Sequence, residues 1–164
     1  MTTGGEVRQR DYAGAIYGSV LAASVVAGTS PGDDYATPAE LAILLAATGL
    51  VFWLAHVYAE LFGGVLQGPD RLSWRNVRAV AAHEWPIAGS VMPPTLAALA
   101  GMAFGLSDVT TSWLCLVVAL AGLTGSAVTA AAAAGVGRHL MGLSALISLS
   151  FGGVIIVLKV SLAH

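Results

Sequence analysis

The chain has 164 residues, of which 57% are apolar and only 10% charged, and its formal net charge is −2. Soluble domains carry roughly 25% charged residues, so this composition cannot cover a water-facing surface and most of the chain must face lipid. The near-neutral balance, without any basic run interleaved with aromatics, excludes nucleic acid as a partner. The single cysteine, Cys115, excludes a disulfide framework within the chain and a cysteine-built zinc or iron–sulfur site.

A helix crossing the hydrocarbon core needs about 20 mostly apolar residues. Five stretches meet or approach that length: 12–28, 39–66, 86–106, 111–134 and 140–162. The predicted fold is therefore all-α, a polytopic transmembrane helical bundle of about five spans forming a single membrane domain over 1–164. Arg8 and Arg10 ahead of the first apolar run, with Val25-Val26-Ala27 after it, also resemble a signal peptide; the segment is read here as a first transmembrane helix.

The connecting segments alternate in charge. Arg8 and Arg10 precede the first span, Arg71, Arg75 and Arg78 lie between the second and third, and Arg138 lies between the fourth and fifth. The segments 29–38 and 107–110 carry Asp33, Asp34 and Asp108 but no Lys or Arg. All six arginines thus fall on one side, which the positive-inside rule makes the cytoplasm, with the N-terminus inside and the C-terminus outside. Within the arginine-rich loop, 73–83 reads as a short cytoplasmic interfacial helix. Trp74, Val77, Val80 and Ala81 share one face and Arg71, Arg75 and Arg78 another.

Small residues recur one turn apart: Gly14 and Gly18, Gly101 and Gly105, Gly122 and Ser126, Gly125 and Thr129. In lipid, helices associate by close backbone approach, so these pairs mark either contacts within the bundle or a face for self-association. Pro93 and Pro94, in mid-span, remove two helix donors and predict a kink or break there.

Ionisable groups inside a membrane are expensive, by about 2.5–3.5 kcal/mol each on insertion scales. His56 and Glu60 stand four residues apart on the second span, with His83 and Glu84 at a similar depth where the chain re-enters the membrane. Together they form a candidate polar membrane site, suited to relaying a proton or holding a cation, and Tyr17 and Ser19 are the partners expected for His56 by depth. The bland reading is a satisfied histidine and carboxylates that snorkel. Lys159, near the outer end of the last span, is expected to snorkel, with Glu40 as its pair at the outer interface. Ser144 and Ser148, with Ser126 and Thr129, make a weak polar stripe. No P-loop, nucleophile elbow, dinucleotide fingerprint or haem-attachment motif occurs, so no cofactor is assigned.

The segments Ala15-Ile16-Tyr17-Gly18-Ser19, Phe52-Trp53-Leu54-Ala55-His56-Val57-Tyr58-Ala59-Glu60 and His83-Glu84-Trp85-Pro86, with the closing Leu158-Lys159-Val160, resemble small uncharacterised integral membrane proteins of actinobacteria. The resemblance covers most of the chain. It implies a bacterial plasma membrane and no particular activity.

Three roles fit this reading. The first is a channel or transporter for ions, protons or a small solute, acting as an oligomer. The second is an accessory or scaffolding subunit of a larger membrane complex. The third is a membrane-embedded enzyme whose only candidate chemistry is the His/Glu set. The topology is directly testable: a reporter active only outside the cytoplasm, fused after His164, gives signal if there are five crossings. A cytoplasmic C-terminus overturns this topology.

Overall fold

The computed structural model describes residues 4–29, 35–65, 73–135 and 137–162, with side chains for 12–29, 35–63, 73–135, 137 and 139–161. Six helices follow in order: α1 Gly4–Gly28, α2 Pro38–Val65, α3 Trp74–His83, α4 Trp85–Ala103, α5 Asp108–Ala133 and α6 Arg138–Leu162. There is no strand among the described residues. The helices α2, α4, α5 and α6 are long and apolar enough to cross a membrane, and α1 contains a shorter apolar stretch, Tyr12–Gly28. The chain is an integral membrane helical bundle.

Local chemistry sets the helix ends. Thr37 and Glu40 form a reciprocal capping box on α2: the Thr37 N–H donates to the Glu40 carboxylate at 2.9 Å and the Glu40 N–H donates to Thr37 Oγ1 at 3.3 Å. Ser107 caps α5 by accepting from the Thr110 N–H at 3.2 Å, so this helix begins ahead of the apolar stretch that predicts it. Helix α4 ends at Ala103 because Gly105 adopts φ +65° and the Leu106 N–H returns to the Gly101 carbonyl at 2.9 Å. Gly105 is therefore a helix stop and not a packing partner of Gly101.

Helix α1 occupies the middle of the bundle. It packs against α5 and α4 most extensively and also touches α2 and α6, while α2, α4, α5 and α6 follow one another around it. The buried core is built mainly from small side chains, Ala22, Ala23, Val26 and Ala27 of α1 against Leu45, Val91, Ala98, Cys115, Leu116 and Ala119. Large apolar side chains such as Ile43, Leu96, Val117 and Phe151 point outward. That is the arrangement expected in lipid, where bulky residues gain nothing by facing inward and small ones let backbones approach.

Glycines show where the approach is closest. A Cβ at Gly18 of α1 would collide with Ser90 Oγ and lie 2.6 Å from the Ile87 carbonyl of α4. At Gly101 of α4 it would collide with Thr111 Oγ1 and lie 2.6 Å from Thr111 Cγ2 of α5. Gly14 faces Ile87 at 3.3 Å and Gly122 faces Ser19 at 3.3 Å, so these residues serve contacts inside the bundle. Gly125 meets nothing within 4 Å. Gly18→Ala and Gly101→Ala are each expected to destabilise the protein by about 1–3 kcal/mol through overpacking, whereas Gly125→Ala is neutral or slightly stabilising. Thermal melts in mild detergent measure this; equal melting temperatures for all three variants would contradict the packing described.

Candidate functional site

Two polar sites stand at opposite ends of the bundle. The first is a cavity of about 290 Å³ whose lining includes Gly14 and Tyr17 of α1, His56 of α2, His83 and Glu84 between α3 and α4, and Pro86 and Ile87 of α4. It exists because α3 and α4 are joined by one residue. Glu84 ends α3, its N–H donating to the Val80 carbonyl at 2.9 Å, and its side chain makes no cap on α4. Pro86 in the first turn of α4 needs no donor there. The carboxylate of Glu84 is thus left to the cavity.

Helix α3 is held in place by Trp53 of α2, whose Nε1–H donates to the Ala81 carbonyl at 2.9 Å and whose ring meets Trp85 edge-on at 5.8 Å. Its outward face carries the exposed Trp74, Arg75 and Arg78, and Val77, Val80 and Ala81 lie on its partly buried side. Trp74, in the first turn, is 75% exposed.

His56 Nδ1 lies 2.9 Å from the Phe52 carbonyl. A carbonyl only accepts, so Nδ1 carries the proton and Nε2 is the nitrogen able to accept another. The Tyr17 ring packs on the imidazole, centroids 5.4 Å apart, and meets Phe52 edge-on at 6.1 Å. Ser19 instead bonds its own helix at Ala15 O, 2.8 Å away, as serines in membrane helices commonly do. Of the four residues singled out in the sequence, His56, His83 and Glu84 converge on the cavity. Glu60 does not line it; it is exposed one turn further along α2, near the helix end at Val65, where a carboxylate can reach the interface. Among the described residues, no three His, Cys, Asp or Glu side chains come close enough to hold a metal ion.

The second site surrounds Lys159. Instead of snorkelling, its side chain is 1% exposed. Nζ donates to Ser112 Oγ of α5 at 2.8 Å and to the Val26 carbonyl of α1 at 3.2 Å. It also lies 5.2 Å from the Tyr35 ring centroid and 5.7 Å from that of Trp113. Val26 sits in the last turn of α1, where carbonyls lack helical partners and the helix dipole is negative, so the ammonium caps α1 while tying α6 to α5. Glu40 directs its carboxylate to Thr37, accepting from both N–H and hydroxyl at 2.9 Å.

Pro93 and Pro94 lie inside α4, which is helical without interruption from Trp85 to Ala103. The two prolines therefore do not break the helix; Pro94 is buried against α5, where its carbonyl accepts from the Cys115 thiol at 3.4 Å. In the polar stripe, Ser148 is buried, Ser144 half-buried, and Thr129 bonds back to the Gly125 carbonyl at 2.8 Å.

Lys159→Met, which keeps length and loses the charge, removes the ammonium's hydrogen bonds to Ser112 Oγ and the Val26 carbonyl. It is expected to destabilise the bundle by about 1.5–3 kcal/mol, the usual scale for a hydrogen bond to a charged group. A thermal melt of the purified variant checks this, and an unchanged melting temperature would show that the contacts add nothing.

No protein-family model matches this chain, and neither a curated protein nor a solved structure does.

Proposed function

We propose that this protein sits in the plasma membrane of a bacterium, among small integral membrane proteins like those of actinobacteria, and moves protons or a small cationic solute across it. The reading places the N-terminus in the cytoplasm and the C-terminus outside, following the arginines. On that orientation the His56 cavity is the cytoplasmic mouth of the path and Lys159 closes the outer end.

One observation carries the reading: His56 of α2 and the adjacent His83 and Glu84 at the α3–α4 junction share a cavity at the end of an otherwise apolar bundle. A cavity lined by titratable groups costs stability that apolar packing would avoid, and intramembrane ionisable groups characteristically mark ion and proton paths. His56 has the chemistry for a relay, with Nδ1 committed to Phe52 and Nε2 available to accept a proton. Beyond the cavity, Ser90 and Ser19 place hydroxyls in the α1–α4 and α1–α5 seams, each bonded to a carbonyl of its own helix. Assembly of several copies is part of the reading, with the open Gly125 and exposed Thr129 on α5 as the contact face.

The protein reconstituted into liposomes with a pH-sensitive dye inside is expected to dissipate an imposed proton gradient. His56→Ala and Glu84→Gln should each slow that flux at least tenfold, an effect of the size general acid–base groups produce, while leaving the melting temperature within a few degrees. Liposomes as tight as protein-free ones, with a proton or with small monovalent cations, would overturn the proposal in favour of an accessory subunit.

A further inference from the structure

A second cavity, of about 300 Å³, lies on the lipid side of the bundle between α2 and α4, and nothing in the proposed transport reading uses it. Its lining includes the small residues Ala46 and Gly49 of α2 and Ala88 of α4. The two helices approach closely at Gly49, where a Cβ would lie 3.1 Å from Val91, while Met92 and Leu96 stand exposed on the α4 side. The one hydroxyl in the lining, Thr95 Oγ1, is turned back to the Val91 carbonyl at 2.9 Å, so the trough presents only hydrocarbon. It runs from Trp85 to Leu99 along α4, fourteen residues or about 21 Å at 1.5 Å per residue. That exceeds the roughly 15 Å depth of one leaflet's hydrocarbon.

At the Trp85 end the chain turns into α3, whose exposed face carries Arg75 and Arg78 and whose sequence holds no acidic residue. A tryptophan at the mouth of an apolar trough, reached from a helix that carries two exposed arginines, matches the order of parts in a phospholipid: chain, interface, phosphate. We propose that the α2–α4 trough and the outer face of α3 together bind an anionic phospholipid, one acyl chain lying along Ala46, Gly49 and Ala88 and the phosphate paired with Arg75 and Arg78. Guanidinium forks suit phosphate oxygens, and a zwitterionic headgroup offsets that attraction with its own cation.

The test is the melting temperature of the detergent-purified protein with added lipid. Phosphatidylglycerol is expected to raise it by several degrees, and phosphatidylcholine of the same chains by less than half as much. Glycerol phosphate, the headgroup without chains, should have no effect. The double variant Arg75→Gln/Arg78→Gln should respond equally to the two lipids. Ala46→Phe, which fills the trough from an exposed position, should lose most of the response; Met92→Trp on the opposite wall provides a second filling variant should the first fail to fold. Native mass spectrometry of the same samples should show phosphatidylglycerol retained by the wild type and lost from the variants. Equal responses of the wild type to both lipids would reduce the site to ordinary annular contact and overturn the proposal. So would a response that survives the trough-filling variants, or one reproduced by glycerol phosphate alone.

Discussion

The bundle depends on the closeness with which α1 can be approached. Because lipid tails are as apolar as leucine, no hydrophobic drive pulls these helices together, and their association rests on van der Waals contact and a few hydrogen bonds between helices. Such contact is short-ranged, so it is available only where backbones come near each other. Gly14, Gly18, Ala22, Ala23 and Ala27 give α1 a surface on which α4 and α5 can pack, and Gly101 does the same between α4 and α5. The outer helices then carry the bulky residues toward lipid.

This arrangement explains why polar groups collect at the ends. Around Ala22 and Ala23 the bundle is packed with small, buried side chains. Toward the start of α1 the bundle opens, since the one-residue junction at Glu84 directs α3 sideways from α4, and the cavity forms beneath it. Toward the end of α1 the helix exposes carbonyls that need a donor, and α6 supplies one through Lys159. Lys159 has particular weight for α6, the most lipid-exposed of the four long spans. Its methylene stem crosses apolar surface while its ammonium reaches two other helices, which turns a residue that is expensive in lipid into a tie.

The helices themselves are legible in the sequence because bilayer thickness imposes a length and water-facing turns impose a composition. Pro38, Ser107 and Gly105 mark ends for local reasons. What the sequence withholds is set by tertiary contact. The apolar stretch of α1 is the shortest and reads as a marginal span, yet it is the central helix, shielded by its neighbours and so freed from the need to be uniformly apolar. Lys159 reads as a snorkelling residue from its position near a helix end; its burial depends on the carbonyl of Val26, 133 residues away, and on Ser112. The pairing of His56 with Glu60 follows from helical spacing, but the cavity selects His83 and Glu84 instead, because the α3–α4 junction lies over His56 while Glu60 projects past it. Pro93 and Pro94 foretell two missing donors, and only the packing on α5 shows that α4 continues through them.

The two polar sites share a carrier. Tyr17, against His56, and Val26, against Lys159, lie on α1 nine residues apart, about 14 Å along one rigid helix. A shift of α1 along its axis that frees the Val26 carbonyl from the ammonium also moves Tyr17 relative to the imidazole. Gly18 leaves little tolerance for such a shift while Ser90 and the Ile87 carbonyl remain in place, so α4 must move with α1 or separate from it. Close-packed interfaces of this kind favour a few discrete arrangements over continuous deformation. The small residues that hold the bundle together therefore also limit how α1 and α4 can move against each other.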